Sequence, residues 1–252
     1  MVFSFWFSGL LPKINWALTS IEYTNFTYSL SDREMERLGH FVSSSLRVPY
    51  LEVLSFFDEL TKDEAFNYAL QSNLAKSEFK GVINPNFSFG RRFAWYAIVR
   101  IKRPQVVIES GTDKGLGSAV LSQALRKNGG GELFTIDINP KSGSLIDSDY
   151  FQFNTHRIHL DSRVFLESFN KKVDFFIHDS DHSFENESLE YELVEPKLSA
   201  NGLVASDNAG ESNAIDLWCK SNDRLLHYFE EKSIEYPGQT SGLALSFPFS
   251  KP

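Results

Sequence analysis

Three short stretches of this sequence concentrate residues able to do chemistry. The first, Val106-Val-Ile-Glu-Ser-Gly-Thr-Asp-Lys-Gly-Leu-Gly117, reads as a buried strand running into a loop with glycines at 111, 115 and 117. Glycines there let the backbone turn sharply and approach a ligand, and the following helix offers free N–H groups at its start. The spacing is not the Gly-x-Gly-x-x-Gly of dinucleotide sites. Glu109, at the strand's end, would also repel a pyrophosphate. A cationic or zwitterionic ligand tolerates that carboxylate, and S-adenosylmethionine, with its sulfonium and amino groups, is such a ligand. Asp137 ends the next strand, about 28 residues further on. A carboxylate at that tip is where the ribose hydroxyls of an adenosine are held in a parallel α/β sheet.

The second stretch is His178-Asp-Ser-Asp-His182, after the fourth expected strand, and the third is Asp207-Asn208, after the fifth. Ligands of parallel sheets bind at the carboxyl ends of strands, so both face the same crevice as Glu109 and Asp137. Asp179, Asp207 and Asn208 form an oxygen-only set suited to magnesium. A divalent ion there would lower the pKa of a substrate hydroxyl, and His182 would remove its proton near neutral pH. Asp and Asn also cap helices after strands, which is the structural alternative for the acidic residues. Asp161, after the third strand, either meets the adenine amino group or caps a helix from Arg163 to Phe169.

These residues need elements to position them. Apolar runs predict strands at Gln105–Glu109, Glu132–Asp137, Arg157–Asp161, Val173–His178 and Leu203–Ser206, alternating with helices at Ser118–Lys127, about 186–198 and about 214–221. Strand candidates at Leu225–Phe229 and Leu243–Phe247 follow. The rhythm implies a doubly wound α/β fold: a mostly parallel sheet with helices on both faces and an antiparallel edge. Before residue 90 the chain reads as helices, one starting at Ser31 with Glu34 in capping-box position, then 49–60, then one from Thr61. Gly90 precedes a further helix. We therefore expect an N-terminal helical extension over 1–89, acting as a substrate cover, and a ligand-binding domain over 90–252.

Composition narrows the partners. A net charge of −8 disfavours nucleic acid. The nearest basic cluster, Arg91, Arg92, Arg100, Lys102 and Arg103, reads as a solvated helix end. The single cysteine, Cys219, excludes an intrachain disulfide framework and a cysteine-rich zinc site. The apolar start stops at Pro12, too short to span a bilayer, so a cytoplasmic protein is expected. Its aromatics, Phe3, Phe5, Trp6 and Phe7, suit docking or homo-oligomer formation.

Arg91-Arg-Phe-Ala-Trp-Tyr-Ala, Val107 to Ser118, Thr135-Ile-Asp-Ile-Asn139, Phe176 to Ser183 and Ala205-Ser-Asp-Asn208 resemble the class I, Rossmann-like S-adenosylmethionine-dependent methyltransferases. More narrowly, they look like the bacterial methyltransferase domain often called family 24. The resemblance covers about Gly90 to Asn208, and the last forty or so residues loosely. It implies that Glu109, Gly111, Thr112 and Gly117, with Ser118 at the helix start, contact the cofactor's methionine part. It also implies Asp137 at the ribose, Asp161 on the adenine side and Asp179 in the same pocket. Catechol-type metal-dependent O-methyltransferases share an aspartate after the fourth strand and Asp-Asn after the fifth, which makes Asp179, Asp207 and Asn208 the metal candidates. Those enzymes commonly place lysine three positions past the first aspartate; here it is His182, with His178 a further departure.

The expected function is methyl transfer from S-adenosylmethionine to a hydroxyl of a small molecule or sugar, with Asp179 and His182 as the catalytic pair and magnesium as the possible helper. The alternatives are a metal-dependent hydrolase built on His178, Asp179, Asp181 and His182, and a non-catalytic cofactor-binding partner protein. An NAD-dependent oxidoreductase is disfavoured by the glycine spacing.

Overall fold

The computed structural model describes residues 10–22, 26–232 and 242–249. The N-terminal aromatics expected to mediate oligomer formation lie outside the described residues. Among the described residues four helices come first: α1 (Leu10–Thr19), α2 (Asp32–Leu46), α3 (Tyr50–Thr61) and α4 (Glu64–Lys76). Ser31 caps α2 as its sequence suggests, accepting from the Glu34 N–H. The Glu34 side chain pairs with Arg37 instead of closing the capping box. Asp63 caps α4 and also holds Gln123 and Lys127.

The rest alternates as expected: α5 (Arg92–Lys102), β1 (Val106–Ser110), α6 (Leu116–Asn128), β2 (Glu132–Asp137), α7 (Asp149–Gln152), β3 (Thr155–His159), α8 (Ser162–Ser168), β4 (Val173–His178), α9 (Phe184–Val194), β5 (Leu198–Asp207), α10 (Ala214–Ser221), β6 (Arg224–Phe229) and β7 (Leu243–Pro248). They form one seven-stranded sheet in the order β3-β2-β1-β4-β5-β7-β6. Strands β1 to β5 pair in parallel, and β7 runs antiparallel to both neighbours, which makes the β6–β7 pair the antiparallel edge. Strand β5 begins five residues earlier than its apolar run, because a register shift against β4 keeps Asn201-Gly202 in the strand.

Alternation along the strands divides the core in two. Val107, Leu133, Phe175, Ile177 and Ala205 face α5, α6 and the helices α2 to α4, in one cluster with members from Phe26 to Leu245. Val106, Ile108, Ile136, Phe176 and Val204 face Tyr191, Ile215 and Trp218 on the other side. The same parity sorts the polar strand ends. Glu109 and Asp207 point to the α5 side, whereas Ser110, His178 and Ser206 point to α9.

Because the N-terminal helices and the sheet share one core, they should unfold together. Phe66, fully buried against Phe89 and Phe151, is the test. Phe66→Ala is expected to cost about 3–5 kcal/mol and to leave one urea transition. Circular dichroism and tryptophan fluorescence should give the same midpoint; two separated midpoints would contradict a shared core.

Candidate active site

The ends of β1 and β4 are sewn together. Asp179 N–H donates to the Ser110 carbonyl at 2.9 Å, and Gly111 N–H donates to the Ile136 carbonyl at 2.8 Å. Gly111 sits at φ +91°, and a Cβ there would lie 1.9 Å from the Asp179 carbonyl oxygen. Only glycine fits this crossing. Beside it opens a cavity of about 370 Å³ lined by Gly111, Asp113, Asp137, Ile138, Leu160 and Asp161, with Asp179, Ser180 and Asn186 among the others on the β4 side.

One carboxylate in the cavity is preorganised. Asp137 accepts the Asp113 N–H through Oδ2 and the Asn139 N–H through Oδ1, both at 2.8 Å. Ile138 and Leu160, 73% and 40% exposed, supply an apolar wall that no other protein group covers fully. Asp161 lines the same cavity, caps α8, and is held by the Arg163 guanidinium and backbone, which bring its carboxyl down to about 2.

The remaining residues expected at the cofactor lie behind the loop. Glu109 is fully buried. Its Oε2 accepts from the hydroxyls of Ser118 and Thr135, the latter at 2.8 Å and bonded in turn to Thr112. Its Oε1 is buried without a partner and faces Gly117, where a Cβ would come within 2.5 Å of it. Burial pushes the Glu109 carboxyl up to about 7, although the two hydroxyls pull the other way. The Arg92 Nε and Trp95 Nε1, on the same side, are also buried and unpaired.

The His-Asp cluster splits. His178 is fully buried and bonds Glu190 through Nδ1 at 2.7 Å. Glu190 also collects Ser110, Ser162 and Ser180, so His178 belongs to a structural network under the sheet. Asp181 turns outward to hold the Ser183 N–H and hydroxyl at the start of α9. The histidine and aspartate set that a hydrolase would need is therefore not assembled. His182 and Asp179 do meet in the crevice, 3.9 Å apart. His182 Nε2 lies 2.9 Å from Asn208 Nδ2. Burial, then the neighbouring His178, lowers the His182 pKa, which favours the neutral ring.

The metal expectation needs correction. Asp179, Asp207 and Asn208 do converge, but Arg91 already occupies Asp207 and Asn208. It donates to both Asp207 oxygens, the Nε contact at 2.5 Å, and to Asn208 Oδ1 at 2.7 Å. Among the described residues no group of three or more His, Cys, Asp or Glu is arranged to hold a metal ion. The residues present do not fit magnesium. Burial raises Asp179 well above the usual carboxylate range, reinforced by Asp207, to which it is hydrogen-bonded. Asp207 resists burial because Arg91 holds it below its usual value.

Arg91 is the residue that sequence reasoning placed wrongly. It is not at a solvated helix end: its side chain is 11% exposed and also reaches Glu231 and the Tyr28 hydroxyl. Its partners lie 63 to 140 residues away in the chain, so no local pattern announces them.

Residues 108–209 match the model of a methyltransferase domain family. The match makes this segment similar to that family over less than half of the chain. The sheet order and the antiparallel β7 are those of the class I methyltransferase fold. An O-methyltransferase from Bacillus cereus in complex with SAH has a TM-score of 0.56 at 17% identity, over 75% of this chain and 92% of that one. The O-methyltransferase TomG from Streptomyces achromogenes, in complex with SAM and involved in tomaymycin synthesis, gives 0.55 at 14% identity, over 75% and 91%. A SAH-bound methyltransferase from Podospora anserina gives 0.54 at 12% identity, over 90% and 100%. These are likenesses of fold. No curated protein matches the sequence. Within this segment Gly111, Asp113, Asp137 and Asp179 line one cavity. No described helix is long and apolar enough to cross a membrane.

Glu109 gives the domain a pH signature. Its folded pKa of about 7 lies above its ordinary value of 4.5, so the folded state holds the proton longer. That contribution is fully present below pH 4.5 and is lost as pH rises through about 7, a span worth about 3 kcal/mol. Urea unfolding from pH 5 to 8 should show stability falling across this window more steeply in the wild type than in Glu109→Gln. Equal slopes would refute the assignment.

Proposed function

We propose that this chain transfers the methyl group of S-adenosylmethionine to a hydroxyl of a small-molecule acceptor. The observation that carries the reading is the cavity between Gly111 and Asp179, with Asp137 on its floor and the Ile138 and Leu160 wall. Asp137 still has acceptor capacity for ribose hydroxyls, and the apolar wall suits the faces of an adenine ring. The unpaired Glu109 Oε1 suits an ammonium donor reaching in beside Gly117. S-adenosylmethionine, when bound, supplies an electrophilic methyl on sulfur, and the protein supplies orientation.

At the acceptor end, His182 Nε2, which faces the Asn208 amide, is the nitrogen placed to take a proton. A substrate hydroxyl would exchange with the Asn208 amide for that position, and Asp179 would line its path. The N-terminal helices α2 and α3, packed on α5, would cover the acceptor.

Calorimetry with S-adenosylmethionine and with S-adenosylhomocysteine tests the reading, and heat from neither would sink it. Asp137→Ala should weaken both by at least about tenfold, the loss of roughly one hydrogen-bonded group. His182→Ala should leave cofactor affinity unchanged and lower kcat by about 10²–10⁴, measured as S-adenosylhomocysteine release over a hydroxylated acceptor panel. A cationic ligand beside Glu109 favours its ionised form, so cofactor binding should release a proton and tighten as pH rises through about 7. Binding enthalpies in buffers of different ionisation heat would read that proton directly.

A further inference from the structure

Asp207 and Asn208, with Asp179, make the kind of oxygen set that takes a hard divalent cation, yet a side chain lies inside it. Arg91 spends its whole fork there. Nε and Nη2 take the two oxygens of Asp207, and Nη2 also donates to Asn208 Oδ1. Nη1 donates to Glu231 and, at 3.3 Å, to the Tyr28 hydroxyl. Both Asp207 oxygens and the Asn208 amide oxygen thus face guanidinium nitrogens.

This is not a surface arginine lying across a mouth. Its side chain is 11% exposed and Asp207 and Glu231 are 4% exposed. Its backbone N–H is fixed as well, donating to the Tyr28 hydroxyl at 3.2 Å, one residue before α5 begins. A cation entering here would have to break a two-point, charge-assisted pair and then sit beside a buried positive charge.

We propose that Arg91 is a positioning residue standing where a divalent cation would stand, so that a guanidinium organises the acceptor end of this site and no metal ion binds there. Its effect reaches His182 by direction alone. Because Asn208 Oδ1 accepts from Arg91, Asn208 Nδ2 must turn to His182 Nε2, 2.9 Å away. That nitrogen is then the acceptor and the ring proton sits on Nδ1. "Acceptor end" is a term that rests on the methyl-transfer reading. Cation binding does not, and it is measured without either methyl donor or acceptor, so one can fail while the other stands.

The test is titration of Mn²⁺ into the full chain, followed by the electron paramagnetic resonance signal of the free ion. Wild-type protein should leave that signal unchanged. Arg91→Ala, folded by circular dichroism, should take up Mn²⁺ stoichiometrically and lose this uptake again on adding Asp207→Asn. Stoichiometric uptake by the wild type, abolished by Asp207→Asn, would overturn the proposal. So would a folded Arg91→Ala that binds no Mn²⁺. Should Arg91→Ala fail to fold, the wild type compared with Asp207→Asn decides alone. Nitrogen-15 spectra add a second readout: His182 should show a protonated Nδ1 in the wild type, and a wild-type ring protonated on Nε2 would overturn the relay.

Discussion

The contact on which the site depends is a buried guanidinium between carboxylates. Arg91 ties together the segment around Tyr28, the start of α5, the end of β5 and the chain just past β6. Each of these would otherwise end in an unpaired polar group away from water. Two carboxylates and one arginine are costly to bury, and such a cluster is weak evidence of added stability over an apolar core. Its asymmetry is what matters: removing the arginine alone strands two buried acids, at a cost of about 3–5 kcal/mol. The sequence is therefore committed to all members together.

A second constraint is steric. The carbonyl of Asp179 comes so close to Gly111 that the loop and the β4 tip behave as one object. This fixes the floor of the cavity from two strands adjacent in the sheet but about 70 residues apart in sequence. Lys114 then ties the loop to the N-terminal half, its ammonium over the Phe26 and Phe79 rings at 4.7 and 5.6 Å. Asn73 adds a hydrogen bond to the Leu145 carbonyl at 2.7 Å. The loop is thus held from beneath by the sheet and from above by the helices.

Much of the fold is legible because it follows from local patterns. Glu132–Asp137 and Val173–His178 are strands from end to end as their apolar runs suggest. Parity along those runs also explains why His178 is structural and Asp207 is not: one residue's step along a strand sends a side chain to the opposite layer. What is not legible is charge pairing at a distance. Arg91 and Arg92 look like any basic helix start, and only the packing of α5 over the β5 end turns Arg91 into a partner of Asp207. The oxygen set of Asp179, Asp207 and Asn208 was readable as a set. Its occupant was not, since the same oxygens serve a metal ion or a guanidinium equally well.

On the methyl-transfer reading, the charge balance bears on the reaction itself. A sulfonium loses its positive charge as its methyl group leaves, so a bare carboxylate beside it would stabilise the reactant more than the transition state. Two acids of this crevice are kept from that role by different means. Asp179 is raised by burial and by Asp207, and Asp207 is paired with Arg91. Asp137 lies at the tip of β2, on the far side of β1 from β4 and β5. On the methyl-transfer reading, the ribose end holds the cofactor with a carboxylate while Asp207 at the reacting end is paired with a guanidinium. On that reading, a hydroxyl approaching there meets an accepting imidazole nitrogen, which becomes an imidazolium as it takes the proton while the sulfonium loses its charge, so the positive charge moves from sulfur to the ring rather than being added.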